Sequence, residues 1–166
     1  MGLDMYLMSV PKISGMELED ILLANSHLKR LEEEGGEIYD RVKEHIKSFE
    51  EFGNSWRSMK TEIFYWRKAN HFHHWFVENI QNGIDDMGTY RVDPHHVKEL
   101  YELCDRLIRK SQSPYDLLPT RPGPFFGSTH YGKFYYLEVE RTRSFLAEIL
   151  TTFDFETHYL LYHANW

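Results

Sequence analysis

Apolar residues along the chain alternate between strand-like and helical spacing. Residues 3–10 mix Met, Tyr, Leu and Val and are followed by Pro11, which cannot donate to a β-ladder, so they predict a short strand. Residues 157–166 are rich in Tyr and Leu and predict a final strand. Because strands at the two ends of a domain can pair with each other, we expect a small sheet formed by the N- and C-terminal strands.

Between these strands, apolar residues recur at intervals of three and four, the period of an α-helix. The predicted helices are 16–34 (N-cap Ser14, interrupted near Asn25-Ser26), 37–52 (with a strand around Ile38 as the alternative), 62–81, a helix opened by Asp93-Pro94 that ends at Lys110 or Ser111, and 131–152 (capped by Ser128 or Thr129). Residues 111–129 hold four of the six prolines and predict a loop. The expected fold is therefore α+β, mainly helical with about five helices, in a single domain over residues 1–166.

Composition narrows the class of partner. Nineteen basic and 26 acidic residues give a net charge of −7, which disfavours nucleic acids and anionic membranes as partners. A hydrophobic content of 42% excludes a disordered chain, and no apolar run reaches the ~18 residues of a membrane span. The first residues lack the features of a secretory signal, and the lone Cys104 cannot form an internal disulfide. We therefore expect a protein of the cytoplasm.

The predicted helix 62–81 carries polar residues on both of its faces. Asn70 and His73 fall within its apolar stripe, where an unpaired amide or imidazole would cost about 1–3 kcal/mol. Either they form a polar network inside the core, or they line a pocket and contact a ligand. The opposite stripe, which contains Arg67, His71, His74 and Glu78, is predicted to be a solvated face. His71 and His74 are three residues apart and could meet one metal ion, but no familiar metal motif accompanies them, so no metal is predicted.

The proline-rich loop ends where the last helix is predicted to begin. Main-chain N–H groups at a helix start, with the Ser128 and Thr129 hydroxyls, form a natural anion site, and Arg121 or Arg67 could clamp the same anion. In the alternative interpretation these hydroxyls only cap their helix and Phe125 packs into the core. Neither a Walker A loop nor a GxSxG elbow is present, so we predict no catalytic residue.

Several runs of the chain resemble a family of small uncharacterised proteins of bacteriophages and prophages. The similarity covers nearly the whole chain in the same order, and the runs that carry it are Gly2-Leu3-Asp4-Met5-Tyr6-Leu7, Tyr65-Trp66-Arg67-Lys68-Ala69-Asn70, Phe72-His73, Trp75-Phe76, Leu118-Pro119-Thr120, Phe125-Phe126-Gly127-Ser128 and Trp166. The resemblance implies a phage origin and the cytoplasm of an infected host cell, and it names no ligand. This chain departs from the family pattern at Pro124, where relatives carry a third phenylalanine, and at Gly132-Lys133, where they carry an acidic residue.

These observations predict a non-catalytic binder, or sponge, of a nucleotide-like molecule that carries phosphate and serves host immune signalling. Aromatic faces would stack on the base, and arginines and helix N–H groups would hold the charge. The predicted ligand-binding residues are Tyr65, Trp66, Arg67, Lys68, Asn70, His73, Arg121, Phe125, Phe126, Gly127, Ser128 and Thr129. No cofactor is predicted, and an oligomer with shared pockets would bury such a ligand more fully.

Two other functions fit the same residues. The first is an inhibitor that binds a host protein through an aromatic patch around Trp75 and Tyr159. The second is a hydrolase of nucleotide-type substrates in which His73 and an acidic residue form a general base, with a metal at His71 and His74 as an optional addition.

Overall fold

The computed structural model describes residues 2–166, which divide into two compact units. The sheet unit comprises the residues up to Met8 together with Glu62–Phe155 and Leu160–Trp166. The hairpin unit comprises Ser9–Thr61 and Glu156–Tyr159. The single domain over residues 1–166 stays a prediction, and Met1 lies outside the described residues.

The described chain is α+β, as predicted, and alternates short strands with helices. In chain order the elements are β1 Asp4–Pro11, α1 Leu18–Ser26, α2 Leu28–Glu34, α3 Glu37–Val42, a 3-10 turn Lys43–His45, β2 Lys47–Glu51, β3 Asn54–Ser58, β4 Thr61–Arg67, α4 Asn70–Asn79, β5 Thr89–Val92, α5 Pro94–Ile108, α6 Pro114–Leu117, α7 Lys133–Thr152 and β6 His158–Asn165. Residues 2–166 thus contain seven α-helices rather than about five. None of these helices is long and apolar enough to cross a membrane.

The main sheet has four strands in the order β4-β1-β6-β5. The two terminal strands β1 and β6 occupy its centre, and β5 pairs antiparallel with β6, with Val92 opposite Leu160. This sheet is larger than the one expected from the sequence, because β4 and β5 flank the terminal strands. The core of the sheet unit includes buried side chains from β1, β4, α4, α5, α7 and β6.

The predicted helix 62–81 is wrong in its first half. Residues 61–67 form strand β4 beside β1, and Lys68 then takes a left-handed φ of +56° while its N–H donates to the Leu3 carbonyl at 2.7 Å. Helix α4 starts only at Asn70. The segment is rich in β-branched and aromatic residues, which favour a strand when a partner strand is present. Pairing with β1 therefore overrides the helical spacing of Ile63 and Trp66.

The predicted helix 37–52 is correct only as far as Val42. The chain continues through the 3-10 turn into the β2–β3 hairpin, in which Phe49 lies opposite Trp56 and the two rings stack. Phe52 and Gly53 both have positive φ, as a two-residue hairpin turn requires. The alternative strand around Ile38 is also wrong, because Ile38 lies in α3.

The predicted N-cap is correct for one helix and wrong for two others. Asp93 caps α5 as predicted, and the first predicted helix is interrupted at His27, next to the expected position. Glu17 rather than Ser14 is the N-cap of α1. Gly132 precedes α7, so neither Ser128 nor Thr129 caps that helix.

Candidate binding pocket

The side chain of Asn70 holds the proline-rich loop against α4. It is buried, as predicted, and its Nδ2 donates to the carbonyls of Phe126 at 3.1 Å and Ser128 at 3.0 Å. Its Oδ1 accepts a hydrogen bond from the Arg121 main-chain N–H at 3.0 Å. The amide is thus paired with main-chain groups of the loop, so Asn70 is a positioning residue.

The imidazole of His73 is buried in a hydrogen-bonded chain. Its Nδ1 lies 2.8 Å from the Tyr162 hydroxyl, and its Nε2 lies 2.9 Å from Asp85 Oδ2. Burial raises the pKa of Tyr162 well above its ordinary value, so the hydroxyl stays protonated and can donate to Nδ1. Asp85 also accepts a hydrogen bond from the Trp166 indole at 3.0 Å. Both nitrogens of His73 therefore have protein partners, a hydroxyl on one side and a carboxylate on the other.

The loop around Gly127 packs closely on the turn at Lys68. A Cβ at position 127 would lie 2.8 Å from Lys68 Cβ and 3.0 Å from its carbonyl oxygen, and φ at Gly127 is +91°. Phe126 is buried and contacts the His73 ring edge-on, whereas Phe125 is 68% exposed. The expectation that Phe125 fills the core is therefore wrong, since Phe126 does so.

Ser128 and Thr129, the two hydroxyl residues of the predicted anion site, lie outside the last helix. Ser128 Oγ accepts from the His130 N–H, and the Thr129 carbonyl accepts from the Thr120 hydroxyl. Helix α7 begins four residues after Thr129, at Lys133. Its unpaired N–H groups are consequently separated in sequence from both hydroxyls.

The aromatic residues of the predicted site have structural contacts. The buried Trp66 indole donates to Thr142 Oγ1 at 2.7 Å. Tyr65 donates to Asp4, and burial together with this hydrogen bond raises the pKa of Tyr65 to about 12. Arg67 is exposed at the end of β4. Trp75 is buried, so the predicted exposed aromatic patch around Trp75 and Tyr159 is wrong.

A small cavity lies beside His71, a residue predicted to lie on a solvated face. Its volume is about 130 Å³, and its lining residues are His71, His74, Trp75, Glu78, Asn79, Leu117, Leu118 and Pro119. His71 is only 2% exposed, and its Nε2 has no hydrogen-bond partner among residues 2–166. Burial lowers the pKa of His71 to about 3, so the imidazole is neutral at pH 7. This combination of a cavity and an unpaired buried nitrogen identifies the candidate pocket.

The edge of the pocket carries positive charge from Arg121. Its Nε donates to His74 Nε2 at 3.0 Å, and His74 Nδ1 lies 3.9 Å from Glu78 Oε1. Burial and the neighbouring guanidinium both lower the pKa of His74. The guanidinium of Arg121, which lies next to His74, would repel a cation bound at this histidine.

A second group of ligand-type residues surrounds the start of α5. Asp93, His95 and His96 each offer one atom within 4.8 Å of the others. Asp93 is paired with Arg91 at 2.7 Å, and His96 Nδ1 accepts from the Asp93 N–H. The Asp93 carboxylate and His96 Nδ1 take part in capping helix α5, whose positive end also repels cations.

The sequence placed Asn70 and His73 inside but missed the pocket. The spacing assigns His71 to the outer face because it allows for one buried stripe, whereas seven of the ten residues of α4 are buried and both of its faces are covered. The opposite wall comes from 117–119, after α6, and no local signal links that segment to His71. No protein-family model, curated protein or solved structure matches this sequence.

Proposed function

We propose that this protein is a non-catalytic binder of a nucleotide-like small molecule, with the ring of the ligand beside His71 and its phosphate on Arg121. The observation that carries the proposal is that His71, whose buried Nε2 has no hydrogen-bond partner among residues 2–166, is one of the residues that line a cavity. An unsatisfied buried polar atom costs about 1–3 kcal/mol, and a ligand that bonds to it recovers that free energy.

The volume and the lining of the cavity favour a ligand that has one flat, hydrogen-bonding group. Its volume of about 130 Å³ is close to that of engineered cavities of roughly 150 Å³ that hold a benzene ring. Trp75, Leu117, Leu118 and Pro119 supply apolar contacts, and a neutral imidazole nitrogen can pair with a ring nitrogen or an exocyclic amine. A heterocyclic base meets both requirements.

The guanidinium of Arg121 can bind an anionic group of the ligand next to that ring. Its side chain is exposed, and the hydrogen bond to His74 uses one of the five donors of the guanidinium. Asn70 fixes the main chain at this residue, which reduces the entropy lost when the guanidinium binds a phosphate. Arginine is also the side chain best suited to paired hydrogen bonds with phosphate oxygens.

The same groups favour binding over turnover. An imidazole with a pKa of about 3, such as that of His71, is a weak general base at neutral pH. Cys104 is buried and burial raises its thiol pKa, so it is a poor nucleophile. Together with the resemblance to phage proteins, this supports a sponge that sequesters a host signalling nucleotide in the cytoplasm of an infected cell.

Titration calorimetry with matched probes tests the proposal. The probes are adenosine, AMP, GMP, UMP, ADP-ribose and cyclic dinucleotides. We expect at least one nucleotide to bind, His71→Leu to abolish that binding, and Arg121→Gln to weaken the nucleotide about tenfold or more while leaving the nucleoside unaffected. Arg106→Gln, another exposed arginine of the sheet unit, is the control and should bind normally. Absence of heat with every probe would refute the proposal.

A second measurement separates sequestration from hydrolysis. The protein is incubated with the bound nucleotide, denatured by heat, and the released small molecules are separated by chromatography. A sponge returns the nucleotide intact, whereas a hydrolase returns its products.

A further inference from the structure

The β2–β3 hairpin leaves one edge of strand β2 open. The sheet that it forms has two strands, so β2 has β3 on one side and, within residues 2–166, no strand on the other. All residues of β2 are exposed except Phe49, which is partly buried. Within the same residues, no main-chain hydrogen bond joins Ser48 or Glu50 to a segment other than β3. The open edge therefore offers unpaired main-chain groups to a further strand.

The register of the hairpin determines which groups face this edge. The two-residue turn places Glu51 opposite Asn54. In such a hairpin these flanking residues exchange hydrogen bonds, and bonded and non-bonded pairs then alternate along the strands. The main-chain groups of Phe49 are thus directed at β3, whereas the N–H and C=O groups of Ser48 and Glu50 point to the open edge.

A second copy of β2 fits this edge when the two strands run antiparallel about Phe49. Ser48 then lies opposite Glu50 of the second copy, and the two residues exchange main-chain hydrogen bonds in both of the symmetry-related pairs. The same register places Lys47 opposite Glu51 of the second copy. Within residues 2–166 neither of these two residues forms an ion pair, so both charges are available.

The charges of β2 favour a copy of the same strand as the partner. A charged edge ordinarily opposes strand pairing. In β2, however, Lys47 and Glu51 stand at equal distances on either side of Phe49, so a two-fold axis at Phe49 brings opposite charges together. Strand β3 has no such arrangement, because its one charged side chain, Arg57, is paired with Glu32.

We propose that two copies of this chain associate through their β2 edges and form one antiparallel sheet across a two-fold axis at Phe49. Phe49 meets its symmetry mate in a non-hydrogen-bonded pair, the type in which facing side chains are closest. Its ring stacks on Trp56 within each copy, so the aromatic rings form a row across the sheet. The contact uses five residues of strand per copy, and we therefore expect a weak dimer that dissociates on dilution.

Sedimentation equilibrium of the full-length chain at concentrations from about 1 µM to 1 mM tests the proposal. We expect a reversible equilibrium between monomer and dimer. Lys47→Glu sets two carboxylates against each other across the interface, and Glu51→Lys sets two ammonium groups against each other. Each variant should weaken the dimer about tenfold or more. Lys133→Glu changes an exposed lysine at the start of α7 by the same charge, and this control should dimerise normally.

Mixing the two edge variants tests the register. A heterodimer of Lys47→Glu with Glu51→Lys has opposite charges in both pairs, so the equimolar mixture should dimerise about as tightly as the natural protein. The double variant Lys47→Glu/Glu51→Lys restores the same pairs in a homodimer and should do likewise.

Three results would overturn the inference: a natural protein that is monomeric at every concentration, a dimer that neither single variant weakens, or a mixture that dimerises no more tightly than its components. If a single variant does not fold, the natural protein and the double variant decide, and a double variant that stays monomeric where the natural protein dimerises would equally overturn it.

Discussion

The replacement of His71 by leucine tests the buried neutral imidazole through the pH dependence of stability. Burial lowers the pKa of His71 to about 3, whereas its ordinary value is 6.5. Between these values the unfolded chain binds a proton that the folded chain does not. The free energy of unfolding must therefore fall as the pH is lowered below about 6.5, and this loss is complete near pH 3.

The size of this change in the free energy of unfolding follows from the single proton that His71 binds in the unfolded chain. A difference of one bound proton changes the free energy of unfolding by about 1.4 kcal/mol per pH unit. His71 alone thus costs about 2 kcal/mol between pH 6.5 and pH 5, and roughly 5 kcal/mol over the whole window. In a chain of 166 residues, about 2 kcal/mol corresponds to a decrease in Tm of roughly 4–8 °C.

Leucine at position 71 removes both the titration and the unpaired nitrogen. Between pH 7 and pH 5 we expect the free energy of unfolding of His71→Leu to fall by about 2 kcal/mol less than that of the natural protein. At pH 7 we expect the variant to be at least as stable as the natural protein. The assay is urea unfolding at pH 7, 6 and 5, followed by tryptophan fluorescence. His130→Leu, which alters an exposed histidine, should keep the natural pH dependence. Parallel loss of stability in the natural protein and His71→Leu would refute the reasoning, because His71 would then titrate normally in the folded state.

The other predictions concern the main chain around the site and the hairpin. Asn70→Ala removes three hydrogen bonds to the loop and should lower the free energy of unfolding, measured in urea, by about 2–4 kcal/mol. The control Asn79→Ala removes one surface hydrogen bond and should lower the same free energy by about 1 kcal/mol or less. Equal losses would contradict this role. Gly127→Ala forces a Cβ to 2.8 Å from Lys68 Cβ at a positive φ, so calorimetry should give a Tm lower by several degrees. Phe52→Asn places a turn-favouring residue where phenylalanine is 95% exposed at φ +48°, and should raise the unfolding midpoint; a decrease would show that Phe52 supports the fold.

Local chemistry made several elements predictable. Asp93 and Pro94 open α5 because a capping carboxylate and a fixed φ act within a few residues, whatever the rest of the chain does. Residues 61–67 illustrate the opposite case, since Ile63 and Trp66 fit a helical period and a strand equally well. Their conformation is determined by β1, more than 50 residues earlier in the chain, so no local window could have resolved it.

The candidate site, like the fold, was predictable from local sequence only in part. The sequence by itself determined an α+β chain in which an amide and an imidazole at Asn70 and His73 point inward, because burial of a periodic stripe is a property of one segment. The tertiary structure decided which partners those groups have and which histidine lacks one. The cavity beside His71 exists because a distant segment, 117–119, packs across α4, and packing between distant segments is set by shape and volume rather than by sequence spacing.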